Sequence, residues 1–273
     1  MQENVRASFR DPSGFMFKHE GVYYRQINQA YKPDYDLLIS SGLYEQLVKS
    51  KTLLAHEEQD LALAPRPDLA YKVIKPLQLG FISYPYEWCF DQYKDAAILT
   101  LAIARRALEF GMSLKDASAY NIQFLEGRPV FIDTLSFEKY QEGTPWVAYR
   151  QFCQHFLAPL ALMAKKDIRL QGLMRQYIDG IPLDLASALL PGSTKMNFGL
   201  ASHIHLHAKS QQKYADREVS QSEIKGKVSK DAQLALLDSL LNTVRGLKVE
   251  TITTEWADYY QDNNYTKSSF EAK

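Results

Sequence analysis

The sequence predicts an α+β fold of two lobes, a small lobe rich in β-strands followed by a larger helical lobe. Two observations predict this order: short aromatic and apolar runs fill the first 90 residues, and apolar residues recur at helical spacing after them. We therefore divide the chain into residues 1–90, residues 91–215, and a polar linker, helix and tail over residues 216–273. With 273 residues, 46% of them apolar, the chain is long enough to bury a sizeable core.

The small lobe begins with a predicted β-hairpin, because Glu20–Gly21 is a turn signal between two runs rich in aromatic residues. A further turn is predicted over Asp11–Gly14. One helix is predicted over Asp34–Lys49, with Asp34 as its N-cap and leucines near helical spacing. The strands predicted in this lobe are Phe15–Phe17, Val22–Ile27, Tyr71–Ile74 and Phe81–Tyr84.

The helical lobe begins with a long helix predicted over Asp91–Phe110, where alanines and leucines form one stripe and Gly111 ends the helix. A second hairpin follows, with predicted strands Ile122–Leu125 and Val130–Ile132. From Trp146 onward the pattern predicts helices only, the last over residues 231–245. The polar residues 216–230 predict a loosely ordered linker.

The second hairpin carries three residues in an order typical of kinase-type phosphotransferases. Asp116 follows the long helix, Asn121 comes five residues later at the start of a strand, and Asp133 ends the hairpin. Enzymes of this type set out a catalytic base and two metal ligands in that order. Together with the two lobes, the order predicts a protein-kinase-like or aminoglycoside-phosphotransferase-like fold.

The chemistry of phosphoryl transfer assigns a role to each of these residues. Asp116 would orient and partly deprotonate an acceptor hydroxyl, and Lys115 would contact the transferred phosphoryl group. Asn121 and Asp133 would supply the oxygen ligands of a Mg²⁺ ion that bridges the phosphates of ATP. The alternative is structural: Asp116 caps a turn, and Asp133 caps the helix after it.

The small lobe is expected to supply a cation for the phosphates of ATP. Arg25 stands on the strand where kinases place a lysine, although a guanidinium forks onto phosphate and an ammonium does not. Lys72 is the other candidate, and Glu45 on the first helix could pair with either. Each of the three is alternatively a solvated charge.

Two further segments bear on a nucleotide site. Glu87 and Trp88 lie between the lobes in an aromatic stretch, Tyr84–Phe90, which suits an adenine base and equally suits the core of a domain interface. The Asp11–Gly14 turn stands where a glycine-rich phosphate loop would lie, but it has a single glycine. It is therefore a poor nucleotide motif.

Composition excludes some functions and leaves others open. The 32 basic and 32 acidic residues cancel, so no overall field favours nucleic acid or an anionic membrane. No apolar run is long enough to cross a bilayer. Cys89 and Cys153 are far apart among aromatic residues, and we expect buried thiols in the cytoplasm. On a strand, His203, His205 and His207 could bind zinc, whereas the helical flanks favour a structural role.

Several long motifs resemble the N-terminal half of a family of bacterial class I S-adenosylmethionine-dependent methyltransferases, some of which carry nodulation-type names. The segments that carry the resemblance are Ser8–Phe15, Ile82–Trp88, Ser113–Phe124, Pro129–Glu138, Trp146–Pro159 and Thr254–Tyr260. The resemblance implies a Rossmann-like methyltransferase domain after the segment seen here. S-adenosylmethionine would bind only in that absent domain, because this chain contains no Gly-x-Gly turn.

Three hypotheses follow for function. The first is a kinase-like domain that accompanies a methyltransferase domain, in cis or in trans, and binds or phosphorylates a small molecule or glycan. The second is a scaffold with the same fold and no activity. The third is a truncated methyltransferase whose catalytic domain lies outside this chain.

Overall fold

The computed structural model describes residues 2–4, 11–209 and 228–249. Its strands are β1 (Gln2–Asn4), β2 (Gly14–His19), β3 (Val22–Asn28), β4 (His56–Gln59), β5 (Ala70–Pro76), β6 (Met112–Leu114), β7 (Ile122–Leu125), β8 (Arg128–Phe131) and β9 (Phe137–Lys139). Its α-helices are α1 (Lys32–Ser40), α2 (Leu43–Lys49), α3 (Phe90–Glu109), α4 (Tyr149–Phe152), α5 (Ala158–Lys165), α6 (Leu183–Leu189), α7 (Phe198–Leu200) and α8 (Lys230–Gly246). The protein is thus a mixed α/β structure: five strands precede α3, four short strands follow it, and the elements described after β9 are helical.

The N-terminal strands form one antiparallel sheet in the order β1-β2-β3-β5-β4. The predicted hairpin is confirmed as β2 and β3, which pair from His19 and Val22 outward. The edge strand β4 was not predicted, because its sequence His-Glu-Glu-Gln has no apolar alternation. Backbone pairing with β5 holds it in the sheet.

The two faces of this sheet pack against different groups. One face contributes to a small cluster of Phe17, Ala64, Ala70 and Val73. The other face contributes to a cluster of Ile27, Tyr31, Tyr35, Ile74 and Leu135. Arg25 pairs with Ile74 in the ladder, so its side chain lies on the second face, toward Leu135.

The helix predicted over Asp34–Lys49 is in fact two helices, α1 and α2. Gly42 lies between them with φ +82°, a left-handed conformation that ends α1 and begins α2. Asp34 is not the N-cap of α1; its carboxylate accepts a hydrogen bond from the Lys139 amide at 2.9 Å. The leucine pattern predicted the buried face but not the glycine break within it.

Two predictions near residue 85 are wrong. Phe81–Tyr84 is a loop and not a strand, and Phe81 is 76% exposed. The side chain of Gln123 fastens this loop, accepting from the Ser83 amide at 2.9 Å and donating to the Ser83 carbonyl at 3.0 Å. Cys89 is exposed, because the chain alternates there and turns its neighbours on either side into the core; Cys153 is buried, as predicted.

The long helix α3 is the centre of the main core. The predicted stripe of Ala97, Leu101, Ala104 and Leu108 is fully buried. Helix α8 packs against α3, and the Lys94 ammonium donates to the Arg245 and Leu247 carbonyls, at 2.9 and 2.8 Å, where α8 ends.

The helices predicted after Trp146 are confirmed within the described residues. Two of them continue through π-helical turns, Cys153–Leu157 and Ala201–Leu206. No helix among the described residues is long and apolar enough to cross a membrane. Most of the predicted linker, residues 216–227, and the tail from residue 250 lie outside the described residues.

Two short ladders lie between the sheet and the helices. The predicted hairpin is confirmed as β7 and β8, with Glu126 and Gly127 in the turn at positive φ. Strands β6 and β9 form a second ladder, which was not predicted because each has three residues and they pair across a long separation. This second ladder holds the segment from Lys115 to Ser136 in place.

Candidate functional site

The β7–β8 hairpin brings Asn121 and Asp133 together. The Ile132 amide donates to the Asn121 carbonyl at 2.8 Å. The Ser136 hydroxyl donates to Asp133 Oδ2 and accepts from Asn121 Nδ2 at 3.3 Å. The Leu135 amide donates to Asp133 Oδ1 at 3.1 Å, so Asp133 caps a turn and not a helix. The two predicted metal ligands therefore contact the same hydroxyl.

Arg25 from β3 forms an ion pair with Asp133. Arg25 Nη1 donates to Asp133 Oδ1, and the two side chains are only 12% and 16% exposed. Burial raises the pKa of Asp133, but the Arg25 charge and the bonds from Ser136 and Leu135 outweigh burial and leave this pKa below its usual value. Asp133 is thus held as a carboxylate with its charge balanced by Arg25.

The Asp11–Gly14 turn lies against the same group of charges. Asp11 Oδ2 is 3.9 Å from Arg25 Nη2, and Asp11 Oδ1 accepts from the Ser13 amide at 2.8 Å. Lys115 Nζ is 3.4 Å from Ser13 Oγ and 4.8 Å from the centre of the Tyr31 ring. The turn thus lies against Arg25 and Lys115, two of the three cations predicted to contact phosphate.

Asp116 is held in a turn by neighbouring groups. Its Oδ1 atom accepts from the Ser118 amide at 2.9 Å and from Gln151 Nε2 at 2.8 Å. Gln151 Oε1 also accepts from the Ala117 amide at 2.7 Å, so one amide side chain from α4 fixes two points of the loop. This arrangement fits the structural alternative for Asp116, and it also orients the carboxylate.

His155, in the π-helical turn that directly follows α4, contacts the same loop. Its Nδ1 atom accepts from the Ala119 amide at 3.4 Å. Burial lowers the pKa of His155 to about 4, although Asp116 and Asp179 act in the opposite direction. His155 is therefore neutral at physiological pH, which allows Nδ1 to act as an acceptor.

Lys72 and Glu45 do not contact Arg25 or each other. Lys72 Nζ pairs with Glu58 Oε2 on β4 at 2.6 Å. Glu45 is exposed, because α2 turns Leu43 and Leu47 inward and leaves Glu45 on the outer face. The predicted pairing of Glu45 with either cation is wrong; the carboxylate that holds Arg25 comes from Asp133.

Glu87 and Trp88 have structural contacts. Glu87 is exposed and its Oε2 atom accepts from the Tyr84 amide at 2.8 Å, capping a short 3₁₀ turn. Trp88 is 2% exposed, packs edge-on against Tyr93 and Phe124, and donates from Nε1 to Ser83 Oγ at 2.8 Å. The aromatic stretch was predicted to bind adenine or to form the core of a domain interface, and the burial of Trp88 fits the second alternative better.

Mg²⁺ and ATP fit this arrangement poorly. Both carboxylate oxygens of Asp133 already have partners, and Arg25 balances its charge. This ion pair also engages Arg25, which was predicted to contact the phosphates of ATP. The ring of Trp88 is buried and offers adenine no exposed face. The arrangement therefore argues against a Mg²⁺–ATP site, and both cofactors stay predictions.

The three histidines lie on a π-helical and α-helical segment, where His203 and His207 both pack against the Tyr149 ring and His205 has other partners. His203 contacts Tyr149 and Ser239 through its two ring nitrogens, at 2.9 and 3.0 Å. His205 contacts Ser187 and Thr194 at 2.7 and 2.9 Å. In the described part of the chain, no group of three or more His, Cys, Asp or Glu side chains could hold a metal ion. The hydrogen bonds of His203 and His205 fit the structural role predicted for a helical segment.

Sequence reasoning missed two residues of the site, Ser136 and Gln151, and it named the turn of Asp11 without predicting the contact of Asp11 with Arg25. Ser136 follows Asp133 in an Asp-x-x-Ser pattern, which could have indicated a turn with the hydroxyl on the carboxylate. Asp11 and Gln151 had no local signal, because their contacts to Arg25 and Asp116 span 14 and 35 residues of sequence.

Comparison with known proteins gives one close likeness. No protein-family model matches the chain. The chain is 33% identical over 267 residues to the nodulation protein NoeA of Rhizobium meliloti (strain 1021). The match covers 96% of this chain and 56% of the relative, so the chain spans a little more than half of that protein's length.

Proposed function

We propose that this chain is a kinase-like scaffold without phosphotransferase activity, which presents a small molecule or glycan to a methyltransferase domain. The observation that carries the proposal is the Arg25–Asp133 ion pair. It joins the predicted phosphate clamp to a predicted metal ligand, so neither is free for its part in phosphoryl transfer. The remaining support comes from the order of elements and from the relative.

The kinase-like part of the proposal is supported by where the elements lie. A hairpin after a long helix carries Asn121 and Asp133, and the loop before it carries Asp116. The antiparallel sheet approaches this hairpin through Arg25, at the boundary of the sheet and the helical part. That is the relation expected between the small and large lobes of a kinase-like fold.

The scaffold part of the proposal is supported by the satisfied polar groups. Phosphoryl transfer requires a metal-binding carboxylate whose charge is balanced by the metal and the phosphates. Here the balancing charge is a guanidinium of the same chain, held by a short turn that also presents Asp11. A second carboxylate beside Arg25 repels an incoming phosphate group.

The methyltransferase partner is supported by sequence. The long motifs described above resemble a methyltransferase family with nodulation-type names, and the relative is itself a nodulation protein that is longer than the matched region. A scaffold of this kind would hold the substrate of its partner domain, whether that domain is in the same chain or in another. The partner, and not this chain, would bind S-adenosylmethionine.

Calorimetry tests the scaffold directly. With ATP and Mg²⁺ both at millimolar concentration, we expect no saturable heat of binding to the wild-type protein. We also expect no transfer of labelled γ-phosphate to monosaccharide or oligosaccharide acceptors. Saturable, Mg²⁺-dependent ATP binding, or phosphoryl transfer that Asp116→Asn abolishes in a folded variant, would contradict the scaffold and favour the active kinase.

A further inference from the structure

The guanidinium of Arg25 lies where two carboxylates of distant segments meet. Nη1 contacts Asp133 Oδ1, and Nη2 is 3.9 Å from Asp11 Oδ2. The side chain of Arg25 is 12% exposed, and its Nε atom is buried with no hydrogen bond among the described residues. The cation is therefore enclosed by the chain and not directed into solvent.

The groups around Arg25 are those that a hard divalent cation prefers. The carboxylates of Asp11 and Asp133 both contact the guanidinium, and the hydroxyl of Ser136 joins Asp133 to the amide of Asn121. Carboxylate, amide and hydroxyl oxygens are the usual ligands of Mg²⁺ and Mn²⁺. Without the guanidinium, the carboxylates of Asp11 and Asp133 would lose the cation that contacts them both.

The turn that supplies Asp11 is built to lie close to this point. Gly14 has φ +159°, and a Cβ atom there would lie 2.2 Å from the Gln26 carbonyl oxygen and 2.9 Å from Leu135 Cδ1. Only glycine allows the turn to approach β3 and the segment after Asp133 so closely. The Ser13 carbonyl accepts from the Asn28 amide at 2.8 Å and fastens the turn from its other side.

We infer that Arg25 is the resident cation of this site and takes the place of a divalent metal. The guanidinium balances Asp133 and Asp11 permanently, so the wild-type chain needs no metal at this point and excludes one. The inference rests on the proposed function, because it identifies what replaces the metal of a phosphotransferase. It predicts a latent metal site that appears when the guanidinium is removed.

The test uses Mn²⁺ alone, without nucleotide, and measures binding by calorimetry and by the electron paramagnetic resonance of free Mn²⁺. Arg25→Gln should bind Mn²⁺ at least tenfold more tightly than the wild type. Arg66→Gln is the matched control, because the Arg66 side chain forms an exposed 2.9 Å ion pair with Asp68 and none with Asp11 or Asp133, and it should behave as the wild type. Adding Asp133→Asn to Arg25→Gln should abolish the gain.

Equal Mn²⁺ affinity of folded Arg25→Gln and the wild type would overturn the inference. A second measurement covers the case in which Arg25→Gln does not fold. Millimolar Mn²⁺ should leave the amide resonances of Asn121 and Leu135 unbroadened in the wild-type protein; selective broadening there would overturn the inference. These readouts contain no nucleotide, so they fail separately from the ATP-binding test of the scaffold.

Discussion

At the residue scale, Ser136 decides how Asp133 is satisfied. The residue is 1% exposed, and its hydroxyl lies between the Asp133 carboxylate and the Asn121 amide. Few side chains could replace it, because the position requires a small group that donates to one partner and accepts from the other. Hydrogen bonds to buried charged groups are among the more valuable ones in proteins.

Removing this hydroxyl should destabilise the fold. Ser136→Ala leaves one oxygen of Asp133 without its donor, and we expect the free energy of unfolding to fall by about 2 kcal/mol. Denaturant unfolding measures it. Ser50→Ala, at an exposed serine after α2, is the control and should change stability by less than about 0.5 kcal/mol. Equal effects of the two substitutions would mean that the hydroxyl of Ser136 has no special role.

Buried neutral histidines predict a second effect at this scale. Burial lowers the pKa of both His56 and His155 to about 4. In the unfolded chain each takes up a proton near pH 6.5, whereas the folded chain resists it. Their contribution to stability is therefore complete above about pH 6.5 and is lost as the pH falls toward about 4, by on the order of 3 kcal/mol each.

Urea unfolding between pH 7 and pH 4.5 checks this dependence. The free energy of unfolding should fall steadily over that range, and His56→Gln should make the fall shallower. The lowered pKa of Asp133 acts at lower pH, because its contribution is present above the usual carboxyl pKa of about 4 and is lost as the pH falls through the folded value. A flat profile from pH 7 to pH 4.5 would contradict the lowered pKa values, because it would mean that the two histidines take up protons alike in the folded and unfolded chains.

At the scale of elements, close helix packing depends on single glycines. Gly199 lies in α7 against α8, and a Cβ atom there would lie 2.0 Å from the Thr243 hydroxyl oxygen. Gly199→Ala should therefore cost about 2 kcal/mol by overpacking. Thermal unfolding checks this, with Gly172→Ala as the control, since nothing lies within 4 Å of a Cβ atom at Gly172. Similar melting temperatures for the two variants would contradict the packing argument.

The elements that the sequence predicted correctly are those with strong local signals. The β2–β3 hairpin has a turn with Gly21 at positive φ, and α3 and α8 have apolar stripes at helical spacing. The elements that it missed depend on distant partners. Strands β6 and β9 are three residues each and form only because they meet one another, and Gly42 broke a helix that its leucines alone would continue.

The candidate site was predictable in part for the same reason. The spacing of Asp116, Asn121 and Asp133 is local, and the structure brings the second and third of them to one hydroxyl. The partner of Arg25 was not predictable, because an ion pair across 108 residues depends on how the sheet meets the hairpin. Sequence spacing thus identified the hairpin but not Arg25 as the cation that balances the charge of Asp133.

At the scale of the whole molecule, the segment after β8 joins the sheet to the helical part. Leu135 is 1% exposed and packs with Ile27 and Ile74 of the sheet, two residues after Asp133 pairs with Arg25. One short segment therefore makes both an apolar contact and an ionic contact with the same face of the sheet. We expect these two contacts to hold the sheet in register with the hairpin.

Truncating the apolar contact should weaken this junction. Leu135→Ala removes a fully buried side chain and should cost about 3 kcal/mol. Leu125→Ala, on the preceding β7–β8 hairpin and 38% exposed, should cost less than about 1 kcal/mol. Chemical denaturation measures the free energy of unfolding of both variants. Amide hydrogen exchange in β3 and β5 should become faster in Leu135→Ala but not in Leu125→Ala. A loss confined to the hairpin would show that Leu135 does not stabilise the sheet.

The central claim is that Arg25 and Asp133 neutralise one another inside the molecule. A double-mutant cycle of Arg25→Met and Asp133→Ala, followed by denaturant unfolding, tests it most directly. Arg25→Met leaves the Asp133 carboxylate without its cation, and Asp133→Ala leaves the Arg25 guanidinium with only the 3.9 Å contact to Asp11. Each single substitution should cost about 3 kcal/mol, while the double variant should cost clearly less than their sum, with a coupling of at least about 2 kcal/mol. Costs that add to within about 0.5 kcal/mol would contradict the claim, because they would show that the two charges do not depend on each other.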